Sequence, residues 1–272
     1  MESQKPELMR RVGSAIILGA VALGAVVVNP WTFLALIIVA GAILSWEWGR
    51  LTRGTLPDST YLISAICIAA VAICGGFGRL DLALFILLCV GAAMAFTVSD
   101  RIQVAWALAG LLYVALPAWA LMWLRADQAL GVIAALYLFA IAWTTDTASY
   151  VAGQLFGGPK LASRISPKKT WSGFVAGLLA AAIVGYAFGP AVGGTNVWLL
   201  ALLSVALALA CQMGDLIESA VKRRFGAKDM SQLIPGHGGL FDRVDSLLFV
   251  SVIAALIALR NPAHPGEGLL IW

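Results

Sequence analysis

Residues 135–153 read ALYLFAIAWTTDTASYVAG, an apolar run carrying a single carboxylate, Asp146. The run sits in a stretch of about 129–152 that otherwise has the length and composition of a membrane-crossing helix. At about 1.5 Å per residue such a stretch crosses a hydrocarbon core of about 30 Å. Asp146 then lies roughly 9 Å from the cytoplasmic end of its run. An ionised carboxylate at that depth costs several kcal/mol unless it meets a cation, water or a metal. Asp146 is therefore a candidate functional residue, against the plainer reading of a snorkelling carboxylate or one paired with a neighbouring threonine.

Outward from this run the pattern repeats. Eight further apolar stretches fall near 12–28, 31–46, 60–77, 80–98, 104–124, 171–191, 196–213 and 246–259. The chain is 61% hydrophobic and 12% charged, with a mean hydropathy of +0.92. Soluble domains sit near 45–50% apolar and about 25% charged. The expected fold is an all-α polytopic membrane protein of about nine transmembrane helices with its N-terminus in the cytoplasm. Barrel strands would alternate over about 10 residues, a pattern that is missing. The first run follows a basic start without a small-residue cleavage site, so it reads as a retained helix.

Charge distribution orients the chain. With a cytoplasmic N-terminus, segments 1–11, 47–59, 99–103, 153–170 and 214–245 face inward and carry 15 of the 18 Lys and Arg residues. Only Arg79, Arg125 and Arg260 face outward, a strong positive-inside asymmetry. No repeat or low-complexity linker divides the chain. We expect one integral-membrane domain over 1–272: helices of 1–128 for scaffold and lipid access, and a catalytic half, 129–272, with cytoplasmic loops 153–170 and 214–245. The four cysteines lie in apolar segments without ligand spacing and read as buried free thiols.

The polar residues concentrate at 219–245, SAVKRRFGAKDMSQLIPGHGGLFDRVD. Asp242 and Asp245, three apart where loop becomes span, share one helix face. Two like charges so close invite a shared cation, and hard oxygen ligands suit Mg²⁺. Favourable placement of Asp at a helix N-terminus is the plainer account of one of them. Asp215 follows Gly214 at the cytoplasmic end of the eighth span. Glu218, one turn later, reads equally as part of a surface helix with Lys222 and Arg223. Residues 157–171, GGPKLASRISPKKTW, form a second basic cluster. Lys168 and Lys169, with Ser166 and Thr170 and the N–H groups of a following helix, suit a phosphate; an ordinary loop against anionic headgroups is the equal alternative. Pro167 sits where a helix start tolerates proline. His237, between glycines, could contact a ligand or a loop carbonyl. No Walker A, HExxH or GxSxG pattern is present, which leaves metal-assisted work on phosphates without an identifiable covalent nucleophile.

Segment 219–245 resembles the C-terminal motif of the phosphatidate cytidylyltransferases, or CDP-diacylglycerol synthases. The elements that carry the resemblance are Ser219, Lys222-Arg223, Lys228-Asp229, Pro235, His237-Gly238-Gly239, and Asp242-Arg243 with Asp245. Asp146, residues 166–171 and Gly214-Asp215 resemble the family as well; Ser172 departs from its commoner pattern, and the first five spans match in hydropathy only. The resemblance implies that CTP and phosphatidic acid give CDP-diacylglycerol and pyrophosphate. It also implies Mg²⁺, with a second cation left open. On that reading Asp215, Asp242 and Asp245, with Asp146 nearby, hold metal. Lys222, Arg223, Lys228 and Arg243 take CTP phosphates, and Lys168 and Lys169 the lipid or nucleotide phosphate. Ser166, Thr170, Ser219, Asp229, His237, Gly238 and Gly239 join them as substrate contacts. A bacterial inner membrane with the site facing the cytoplasm is implied, with membrane lipid and no nucleic acid as partners and a homodimer left open. A CTP-dependent polyprenol or phytol kinase and an ion-coupled transporter are the competing readings.

Overall fold

The computed structural model describes residues 5–54, 59–97, 100–234 and 238–272. Each expected run lies on a helix: α1 (Lys5–Val28), α2 (Pro30–Arg53), α3 (Ser59–Gly76), α4 (Leu80–Thr97), α5 (Arg101–Arg125), α6 (Gly131–Leu155), α7 (Trp171–Val192), α8 (Val197–Arg224) and α9 (Phe241–Ala258). A short α10 (Pro265–Leu270) follows, and strands β1 (Lys160–Ala162) and β2 (Ser166–Thr170) pair as an antiparallel hairpin between α6 and α7. Helices α2, α3, α5, α6, α7 and α8 are long and apolar enough to cross a membrane, and α1 and α4 contribute the shorter apolar stretches Gly13–Val28 and Leu80–Phe96. The protein is an all-α integral membrane protein.

Two local expectations change. The polar segment expected to leave the membrane at 214 stays helical to Arg224. Continuing the helix satisfies its backbone groups internally, and Glu218 and Lys222 form an ion pair one turn apart at 2.5 Å. The turn that ends it passes through Gly226, whose positive φ of 67° suits glycine. Pro167 does not open a helix either; it lies in β2, and α7 begins at Trp171. There Thr170 is the N-cap, its Oγ1 accepting from the Gly173 N–H at 3.2 Å.

The chain divides into two compact units, one of residues 1–122 with 225–244, the other of 123–224 with 245–272. In the first, α1 packs on α2, α2 on α3 and α3 on α4. Close approach depends on small residues: an added Cβ at Gly75 would sit 2.5 Å from the Trp119 carbonyl oxygen. Trp48 lies against Gly110, and its indole N–H donates to the Trp106 carbonyl at 2.8 Å. Around it gather Tyr113 and Phe241, whose rings stack 5.4 Å apart, a geometry aromatic pairs favour.

In the second unit α7 is the centre, packed against α6 and α8. Its inner face repeats every four residues as Gly173, Gly177, Ala181, Gly185 and Gly189, all buried. Lipid tails are as apolar as leucine, so helices in a membrane gain by backbone proximity and packing, which small residues permit. An added Cβ at Gly177 would meet Ser149 Oγ and lie 3.1 Å from the Thr145 carbonyl oxygen on α6; one at Gly185 would lie 2.6 Å from the Leu200 carbonyl oxygen on α8. This stripe brings α6, α7 and α8 close enough for their polar residues to share one cavity.

Candidate active site

The second unit encloses a cavity of about 450 Å³ walled by α6, the hairpin, the start of α7 and α8. Its lining is polar for a membrane protein: Asp146 and Asp215, Lys160, Lys168 and Lys169, with Ser149, Gln154, Thr170 and Gln212. Asp146 and Asp215 each lie nine residues before the end of their helices, about 13 Å along the axis. Asp146 lies on α6, which continues past residue 152 to Leu155. It is exposed, because its face of α6 opens on the cavity. Ser246 Oγ donates to Asp146 Oδ1 at 3.1 Å.

The hairpin reaches back toward α8. Lys169, on β2, places its ammonium 2.6 Å from Asp215 Oδ2. Lys168 precedes it with an exposed side chain, and Ser166, half-buried, opens the same strand. Thr170 is committed to capping α7 and shares a hydrogen bond with Ser172 Oγ at 3.0 Å; Ser172 in turn donates to the Gly157 carbonyl. Ser172 thus braces the hairpin against α7, a structural part that its departure from the family pattern did not reveal. Gln212 is buried, and its amide donates to the Phe174 carbonyl at 3.0 Å.

Beside the cavity, Asp215, Glu218 and Asp245 form a carboxylate cluster. One oxygen from each lies within 4.8 Å of the others. Glu218 is 1% exposed and Asp245 8%. Asp215 accepts from Ser219 Oγ at 3.3 Å, and Asp245 accepts the Ser246 backbone N–H at 2.9 Å. Lysines partner two of the three: Lys169 pairs with Asp215, and Lys222 pairs with Glu218. Neither of these two ion pairs involves Asp245. Ligand oxygens around Mg²⁺ sit at about 2.0–2.1 Å from the ion, hence about 3–4 Å apart. An all-oxygen set spread over at most 4.8 Å fits such an ion with small side-chain adjustments.

The expected site residues are distributed as follows. Asp146, Ser166, Lys168, Lys169, Thr170, Asp215, Ser219, Lys222, Arg223 and Asp245 fall in the second unit, with Arg223 donating from Nε to the Ile165 carbonyl of the hairpin at 3.3 Å. Lys228, Asp229, Gly238, Gly239, Asp242 and Arg243 fall in the first. There Asp242 Oδ2 accepts the N–H groups of Met230, at 3.0 Å, and Gly239, at 2.8 Å. Gly238 holds a positive φ of 88° and pairs with Ile234 across an isolated bridge. Lys228, Asp229 and Arg243 are exposed. His237 lies outside the described residues.

Sequence reading passed over Gln212, Ser149 and Ser246, and weighed Glu218 without placing it in the site. For Glu218 the i,i+4 pair with Lys222 suggested a surface helix, whereas the pair is buried. Gln212 carried a signal of another kind, since it closes the long apolar run of α8, where a polar side chain seeks a partner.

An integral-membrane enzyme that handles phosphate-bearing substrates is the class this chemistry defines. Comparison with known proteins narrows it further: the profile of the cytidylyltransferase family matches residues 9–259, and the chain belongs to that family. It is 36% identical over 251 residues to a phosphatidate cytidylyltransferase of Brucella suis, with 92% of each chain covered. A phosphatidate cytidylyltransferase of Staphylococcus haemolyticus is 41% identical over 140 residues, covering 51% of this chain and 54% of its own. One of Staphylococcus aureus is 43% identical over 127 residues, covering 46% and 49%. The protein is a nucleotidyltransferase.

Proposed function

We infer that the protein is a phosphatidate cytidylyltransferase, making CDP-diacylglycerol and pyrophosphate from CTP and phosphatidic acid. One observation carries this reading beyond family membership: a lysine-lined cavity in a membrane unit runs up to a carboxylate cluster, and Lys169 joins the two through its 2.6 Å contact with Asp215.

The lipid phosphate is already anionic at neutral pH, so no strong general base is required. One of its oxygens forms a new bond to the α-phosphorus of CTP, while the bond from that phosphorus to the bridging oxygen breaks. Pyrophosphate leaves with the electron pair. The obstacle is repulsion between anions, which fixed cations and position relieve. Lys160, Lys168 and Lys169 line the cavity and would neutralise phosphate oxygens there. Asp215, Glu218 and Asp245 would hold Mg²⁺, with Asp146 available across the cavity for a second cation. When bound, the ion adds charge neutralisation at the reacting phosphates. Lys222 keeps Glu218 oriented through their buried pair. Arg223, Lys228 and Arg243 are assigned to the CTP phosphates, Asp242 to the metal-binding set, and Ser219, Asp229, Gly238, Gly239 and His237 to substrate contact. The positive-inside distribution supports a site facing the cytoplasm, where CTP is available, in a bacterial inner membrane.

Purified protein in detergent, given labelled CTP, phosphatidic acid and Mg²⁺, should release pyrophosphate and label CDP-diacylglycerol. Transfer of the terminal phosphate alone to a lipid alcohol would replace this reading with a kinase. Solute flux in liposomes without nucleotide turnover would replace it with a transporter.

A further inference from the structure

Helix α9 lacks a cap of its own. It begins at Phe241, and Leu240 before it has no side-chain oxygen for the N–H groups that open every helix. The acceptor comes instead from α2. Glu47 Oε1 accepts the Leu240 N–H at 2.9 Å, and its Oε2 accepts the Phe241 N–H at 2.7 Å. Ser231 Oγ donates to the same carboxylate at 2.5 Å. Glu47 is fully buried, six residues before the end of a membrane-crossing helix. A carboxylate in that position persists only when strong donors replace water. The next residue, Trp48, packs on the Phe241 ring.

The neighbouring residues are cut to this shape. An added Cβ at Gly239 would lie 2.5 Å from Glu47 Oε1, so the carboxylate occupies the space a side chain would take. The Gly239 N–H turns the other way, to Asp242 Oδ2. Successive N–H groups thus alternate between two carboxylates: Gly239 to Asp242, then Leu240 and Phe241 to Glu47.

We propose that Glu47 is a positioning residue of the enzyme, capping α9 from α2 so that Asp242 and the backbone of 238–241 are held in the geometry that turnover needs. This rests on the function proposed above. It also gives the N-terminal helices a part in the reaction beyond scaffold and lipid access. Glu47→Gln is the sharpest probe, because an amide keeps the size but turns an NH₂ toward one of three donors.

The test pairs hydrogen exchange with kinetics on the full chain in detergent. In Glu47→Gln, amides in peptides covering 238–244 should exchange about tenfold faster, with α6–α8 unchanged. Its kcat should fall about 10²-fold with KM for CTP within about twofold, since misplacement and not lost binding is the defect. Glu47→Asp, which keeps the charge with a shorter reach, should recover part of kcat, and Ser231→Ala should lose only a few-fold because both backbone donors remain. Should Glu47→Gln fail to fold, those two variants decide by the same readouts. Wild-type kcat in Glu47→Gln, or a loss of kcat with unaltered exchange at 238–244, overturns the proposal. An inactive wild-type protein would instead overturn the function, while the exchange result would still report on the cap.

Discussion

Asp245→Asn separates stability from activity in opposite directions. Asp215, Glu218 and Asp245 each place an oxygen within 4.8 Å of the others. At that distance and an effective dielectric of about 20, two ionised carboxylates repel by about 3.5 kcal/mol. Lys169 and Lys222 offset the charges of Asp215 and Glu218, while among the described residues no ion pair with Asp245 is seen. Without a divalent ion Asp245 is therefore the costly member, whether it stays ionised or takes up a proton to escape the repulsion. Asn has nearly the same shape, still accepts the Ser246 N–H, and carries no charge. In chelator, Asp245→Asn should be at least as stable as wild type, gaining up to about 2 kcal/mol, or roughly 2–8 °C in Tm for a chain this size. Adding Mg²⁺ should raise the Tm of wild type and leave that of the variant nearly unmoved. Turnover with CTP and phosphatidic acid should drop to about 1% or less, because charge neutralisation at the phosphates goes with the ion. Thermal unfolding in detergent, with EDTA and with Mg²⁺, reads all of this beside a pyrophosphate-release assay. A variant several degrees less stable than wild type in EDTA, or one that keeps the full Mg²⁺ shift, would refute the cluster as a cation site.

Three further substitutions probe the cavity and the helix packing. Lys169→Met keeps the aliphatic stem and removes the charge beside Asp215; KM for CTP or for phosphatidic acid should rise about tenfold or more in initial-rate kinetics, and both KM values unchanged would remove the lysine from phosphate binding. Gly185→Ala forces a methyl to 2.6 Å from the Leu200 carbonyl oxygen, so stability should fall by about 1–3 kcal/mol in thermal unfolding, whereas Gly24→Ala, with open space around it, should be nearly neutral. Equal Tm values for those two glycine variants would contradict the packing described for α7.

Much of this protein is legible one residue at a time. The nine apolar runs fall on helices α1–α9 among the described residues, six of them long and apolar enough to cross a bilayer, because crossing imposes length and composition on each segment independently. Asp146 stands out for the same reason, since an intramembrane carboxylate is costly wherever it sits. The spacing of Gly173, Gly177, Ala181, Gly185 and Gly189 was equally open to inspection as a small-residue stripe, and it reports which face of α7 other helices approach.

Glu218 and Glu47 were not legible in this way. Glu218 with Lys222 reads as a solvated surface pair, and Glu47 as the first polar residue after an apolar run. Both are buried, and their partners lie far along the chain: Asp245 for one, Leu240 and Phe241 for the other. The amino-acid sequence alone determined the membrane class and the residue types available for phosphate chemistry, because burial in lipid acts on each segment separately. Only tertiary structure decided which carboxylates lie together, which lysines pair with them and which glutamate caps α9. Those choices depend on distances between helices set by side-chain packing, and no single segment contains that information.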